Sequence, residues 1–166
     1  MIQTISYSNT SFTGKVNVSM KNNSSKGVDE VLSKIPEDED RKTFEEAFDS
    51  FTKQIEEKTP DDASIDITLG FGDWYAGGTL KSGKSVTFEI RNSKSDTTRP
   101  LCKSELPILA LNGDLWHDGD SLKSELKKFF DGIGRTTIST FNFREALERS
   151  RHPKQAPKKS LFDRLS

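Results

Sequence analysis

The sequence predicts a single α+β domain with a central antiparallel sheet, helices packed on one face of it, and an extended basic C-terminal tail. Three observations carry that expectation. Residues 64–91 alternate apolar and polar side chains as half-buried strands do. Stretches on either side repeat apolar residues at steps of three and four. Beyond residue 150, prolines and lysines replace both patterns. At 166 residues the chain fits one domain over 1–150 and a tail over 151–166, and folding at this size buries roughly 68–70% of the surface an unfolded chain exposes.

At the N-terminal end Phe12, Val16, Val18 and Met20 fall on even positions. They predict a strand after a turn near Asn9-Thr10, with Ile2–Tyr7 completing a hairpin. Val28, Val31, Leu32 and Ile35 fit one face of a short helix that Pro36 ends. A longer helix is expected over residues 37–58. There Phe44, Ala47, Phe48, Phe51 and Ile55 form the core stripe, and Glu37-Asp-Glu-Asp40 suits the positive end of the helix dipole.

Ile65, Ile67, Leu69 and Phe71 alternate with polar or small residues, and Val86, Phe88 and Ile90 repeat the pattern. Trp74, Tyr75 and Leu80 supply a middle strand between them, with Gly72-Asp73 and Lys81-Ser-Gly-Lys84 as turns, which makes a three-stranded meander. Leu106 to Leu111 reads as a strand or tight turn. Leu122, Leu126, Phe129 and Phe130 mark a helix from Asp120 or Ser121 that stops at Gly132. Arg135–Thr140 extends as a strand, and Asn142-Phe-Arg-Glu145 has the capping-box spacing that opens a final helix from Phe143 to Ser150.

Composition narrows the function. The longest apolar run, Pro107–Leu111, is far shorter than the ~20 residues a membrane span needs, and no charged start with an apolar stretch opens the chain. A soluble cytoplasmic protein is expected. One cysteine and two histidines leave neither an internal disulfide nor a zinc constellation, so no metal and no cofactor is expected. Net charge of -1 conceals an uneven distribution. Residues 28–62 hold thirteen acidic and five basic side chains, and residues 149–166 hold six basic and one acidic.

Several motifs bear on chemistry. Gly78, Gly83, Lys84 and Ser85 satisfy G-x-x-x-x-G-K-[ST], the nucleotide-binding loop. A working loop of this kind opens a helix, whereas Val86-Thr-Phe-Glu-Ile90 alternates as a strand. Asp114, Asp118, Gly119, Asp120 and Glu125 match part of a calcium loop, with Trp116 at a ligand position. Cys102, His117 and Asp118 are the types a cysteine hydrolase needs, without a diagnostic spacing. The order helix, three strands, helix from Glu37 to Phe130 is similar to that of double-stranded-RNA-binding domains, which implies nucleic acid as an alternative partner. The acidic first helix and the weakly basic Ser121-Leu-Lys-Ser oppose it.

The tail is the constellation that remains. Arg151-His-Pro-Lys-Gln-Ala-Pro-Lys-Lys159 is a basic spacer, and Leu161, Phe162 and Leu165 fit one face of a helical turn. Lys158, Lys159, Leu161, Phe162, Arg164 and Leu165 are the expected contacts to a protein partner. Self-association is an alternative use of the same face, as is docking on the chain's own domain. The expectation is a non-catalytic accessory or assembly protein, with a Lys/Ser/Asn-rich composition that suits a phage, viral or bacterial source.

Overall fold

The computed structural model describes residues 16–21, 28–76, 79–95, 98–111 and 119–151. Strand β1 (Val16–Met20) leads through a short helix α1 (Asp29–Leu32) to the long helix α2 (Asp38–Lys58). Two long strands follow, β2 (Ile65–Ala76) and β3 (Thr79–Asn92), then β4 (Cys102–Pro107), a 3-10 turn (Ile108–Leu111) and helix α3 (Gly119–Arg151). The fold class is α+β, as the sequence predicts.

The four strands lie in one sheet in the order β1-β2-β3-β4. The sheet is mixed. β2, β3 and β4 pair antiparallel, but β1 joins β2 in parallel, with Val16 beside Ile65 and Met20 beside Leu69. The cause is the connection: α1 and α2 carry the chain back to the start of the sheet before β2 begins, as a parallel neighbour requires. The expected partner strand at Ile2–Tyr7 lies outside the described residues.

Alternation settles which face is covered. Val16, Val18 and Met20, then Ile65, Ile67 and Leu69, then Val86, Phe88 and Ile90 are all buried on the face that meets the helices. Asn17, Ser19, Lys103 and Glu105 are exposed on the other, where Asn17 Nδ2 donates to Asp66 Oδ1 at 3.2 Å. Gly70 lies in this sheet because a side chain would not fit: a Cβ there would stand 2.9 Å from Thr87 Oγ1 and 3.4 Å from Lys21 Cβ.

Aromatic packing fixes the helices. Phe44, Phe48, Phe51 and Ile55 of α2 are fully buried, the stripe read from their spacing. Phe130 of α3 enters among them, with ring centroids 5.7, 5.8 and 5.2 Å from Phe44, Phe48 and Phe51 and 5.6 Å from Phe88 below. Several of these contacts are edge-to-face, the arrangement that the quadrupoles of the rings favour. Val28, Val31, Leu32 and Ile35 around α1 complete the same core.

Two regions differ from the sequence expectation. Residues 64–91 form two strands rather than three, because the chain reverses between Ala76 and Thr79 and Lys81–Lys84 lies inside β3. The Gly-Ser-Lys vocabulary there marks an irregularity in the ladder: between the pairs Asp73-Lys84 and Tyr75-Leu80, β3 carries three residues against the single Trp74 of β2. The second difference is larger. The helix expected to stop at Gly132, the strand over 135–140 and the helix from Phe143 are one 33-residue helix. Thr136 and Thr137 hold to it by donating their hydroxyls to the carbonyls of Gly132 and Ile133 at 3.0 and 2.7 Å. Gly134 is buried under α2, where a Cβ would meet Gln54 Oε1 at 3.2 Å.

Candidate functional site

The length of α3 creates the site. Its core-facing stripe runs Leu122, Leu126, Phe130, Ile133, Thr137 and Phe141, at steps of four, four, three, four and four, and all six are buried. The next positions on that face are Arg144, Glu148 and Arg151. The helix therefore continues past the apolar core with a charged face toward the protein.

Opposite this end lies the connection between β3 and β4, described at residues 92–95 and 98–101. It is held locally. Asn92 accepts from the Lys94 backbone N–H at 3.1 Å on its side-chain oxygen, a short polar turn, and Ser93 N–H donates to Ser64 O at 2.9 Å. Lys94 Nζ donates to the carbonyl of Asp62, and Arg91 reaches Thr98 O at 2.5 Å. Arg144 then ties the connection to α3. Its guanidinium donates to Arg99 O at 2.8 Å and to Pro100 O at 3.0 Å, satisfying two carbonyls that no strand ladder reaches.

Between the connection and α3 is an open groove of about 890 Å³. Leu101 and Phe141 form its apolar floor, each almost fully buried. Its rim is different. Phe143 is 64% exposed and Leu147 39%, the large apolar side chains left in solvent among the described residues. Among the described residues, Lys94, Arg99, Arg144 and Arg151 bring four cations to the lining, against the two carboxylates Glu145 and Glu148.

Among the described residues no group of three or more His, Cys, Asp or Glu is placed to hold a metal. No helix among them is long and apolar enough to cross a membrane. Cys102, at the start of β4, faces α3. Burial pushes its thiol above the usual range, an effect that a hydrogen bond with Thr137 offsets in part. An activated nucleophile needs the opposite shift.

Comparison with protein-family models, curated proteins and solved structures finds no match.

The residues singled out in the sequence fall in several places. Lys158, Lys159, Leu161, Phe162, Arg164 and Leu165 lie outside the described residues, as do Gly78, Asp114, His117 and Asp118. Gly83, Lys84 and Ser85 are in β3, a continuous strand from Thr79 to Asn92, so no helix opens behind them to receive a phosphate. Ser85 is buried, its hydroxyl 3.4 Å from Gly72 O and 3.3 Å from Glu105 Oε2. Glu125 lies in α3 and pairs with Lys128 at 3.4 Å. Sequence reading missed the groove. Its signal was the i, i+4 pair Phe143 and Leu147, set to one side of a stripe that turns charged at Arg144.

Proposed function

We propose that this chain is a non-catalytic binding protein that captures a protein partner at the C-terminal end of α3, using the groove beside that helix together with the basic tail that follows it. The observation that carries the reading is the exposure of Phe143 and Leu147 at the mouth of a groove walled by cations. An aromatic and an aliphatic side chain held in water on a rigid helix lose little on ordering when a partner covers them, which is how binding anchors work. The tail supports the same reading by position. It follows Arg151, itself part of the groove lining, so Leu161, Phe162 and Leu165 are tethered to the helix that carries the rim.

The test is a paired truncation and substitution. Removing residues 158–166, or replacing Phe143 and Leu147 together by serine, should leave the circular dichroism spectrum and melting transition unchanged while a partner that co-purifies with the full-length chain is lost. Retention of that partner at full yield by both variants would end this reading.

A further inference from the structure

We infer that the groove between α3 and the β3–β4 connection takes a short acidic segment of a partner protein, one that carries large apolar side chains beside its carboxylates. This rests on the proposed function above and names the chemistry of the partner.

Charge is the first argument. Among the described residues the cations of the lining outnumber its carboxylates by four to two, and three of them, Lys94, Arg144 and Arg151, form no ion pair with another described residue. Arg144 is hydrogen-bonded to two backbone carbonyls, which fix its guanidinium without cancelling its charge. Lys94 is likewise held by the carbonyl of Asp62. Arg151, on the last turn of α3, makes no ion pair among the described residues. An incoming carboxylate would thus meet prepositioned donors, and an Arg anchored in this way gives up little side-chain freedom on binding.

Size and shape are the second argument. About 890 Å³ holds several side chains, within the range typical of ligand clefts. The exposed apolar rim consists of two residues one helical turn apart, Phe143 and Leu147. A lasting dimer of whole domains buries roughly 1,200–2,000 Å² in total, more than such a patch supplies. A peptide-sized occupant fits, with apolar side chains against Phe143, Leu147 and Leu101 and its carboxylates toward Lys94, Arg144 and Arg151.

The same charge count separates the alternatives. The chain's own tail carries Lys154, Lys158, Lys159 and Arg164 against Asp163, so it would bring like charge to a basic groove. It is better suited to flank an acidic partner from the other side. A nucleic-acid strand could stack one base on Phe143, but Leu147 beside it is aliphatic and offers no second ring, so the apolar rim suits peptide side chains better than successive bases.

The experiment uses the full-length protein and three fluorescent probes: a twelve-residue peptide alternating aspartate with leucine and phenylalanine, the same peptide with lysine for aspartate, and a twelve-nucleotide oligo-dT. The acidic peptide should bind and the other two at least tenfold more weakly. Raising salt from 50 to 500 mM should weaken it several-fold. Phe143→Ala/Leu147→Ala should reduce its affinity at least tenfold, and Lys94→Gln/Arg151→Gln should reduce both the affinity and the salt dependence. These side chains are on the surface, so the variants stay folded, checked by circular dichroism. Equal or tighter binding of the basic peptide or oligo-dT, no binding of the acidic peptide, or binding indifferent to all four substitutions would each overturn the inference. If the partner of the previous experiment is still lost on truncation in that event, the protein-binding reading survives and the acidic-segment assignment alone fails.

Discussion

The two halves of α3 share one helical face and use it in opposite ways. From Leu122 to Phe141 that face is sealed against α2 and the sheet, and every position on the stripe is buried. From Arg144 to Arg151 it continues as Arg144, Glu148 and Arg151 and looks onto an open groove, with Phe143 and Leu147 exposed at its edge. The first half therefore contributes to stability, the second is the part to which the proposed function assigns recognition, and a single helix joins them. Burying an aromatic or aliphatic side chain is worth about 1.5–3 kcal/mol to the fold. The same side chain kept exposed contributes almost nothing until a partner covers it.

Matched substitutions at the two aromatic positions test that contrast most severely. Phe130→Ala removes a ring in contact with Phe44, Phe48, Phe51, Phe88 and Phe129, and should cost about 3–5 kcal/mol in urea unfolding. Phe143→Ala should stay within about 0.5 kcal/mol of the parent, as exposed substitutions do, while weakening capture of the partner. A large stability loss at Phe143 would mean that the second half is packed too, and the division of labour would fall.

Why the continuity of α3 was hidden can be stated from particular residues. Gly132 reads as a helix stop, and Thr136-Thr137-Ile138 reads as a strand, because glycine and β-branched residues carry those local preferences. The preferences are small, about 1 kcal/mol for a glycine against alanine in a helix. Burial of Ile133, Thr137 and Phe141 against α2 and the sheet outweighs them. Elements whose period and packing agree, such as Phe44 to Ile55 on α2 and Ile65 to Leu69 on β2, were legible at once. The parallel pairing of β1 was not, since its partner begins 49 residues further on at Ile65, and alternation records which face is buried but not which strand lies alongside. For the groove the information was present but divided: Arg144, Glu148 and Arg151 continue the stripe only once the helix is known to be unbroken.

Gly132 gives a second, smaller test of the same unity. A Cβ placed there meets nothing within 4 Å, so alanine should fit without strain and stabilise by about 0.5–1 kcal/mol through the unfolded chain and helix propensity. Gly134→Ala is the control, because its Cβ would press on Gln54 at 3.2 Å and forfeit part of the gain. If Gly132 were instead a hinge that separates the halves, alanine would stabilise less than expected and alter partner capture. Unchanged capture with a higher melting temperature is the outcome that one continuous helix requires.

The smallest effect concerns charge on the packed side, where α2 backs the first half of α3. Burial raises the carboxyl of Glu45 above its usual range, and the neighbouring charges of Asp29 and Glu46 raise it further. The folded chain therefore holds this proton more tightly than the unfolded chain does. In its ionised form Glu45 therefore opposes folding. That cost is relieved as pH falls through the raised value toward the ordinary one, and below the ordinary value it is gone. Glu45→Gln should accordingly stabilise at pH 7 by a few tenths of a kcal/mol, the size of a like-charge contact on a helix surface. The difference between variant and parent should shrink as pH falls through the ordinary glutamate value of about 4.3 and vanish below it. Other carboxylates destabilise the whole protein over the same range, so the difference between the two unfolding curves is the quantity to follow. A loss of stability at pH 7 that vanished on acidification would show that Glu45 is held by a favourable partner instead, and the acidic face of α2 would then have to be counted among the contacts that hold the sealed half together.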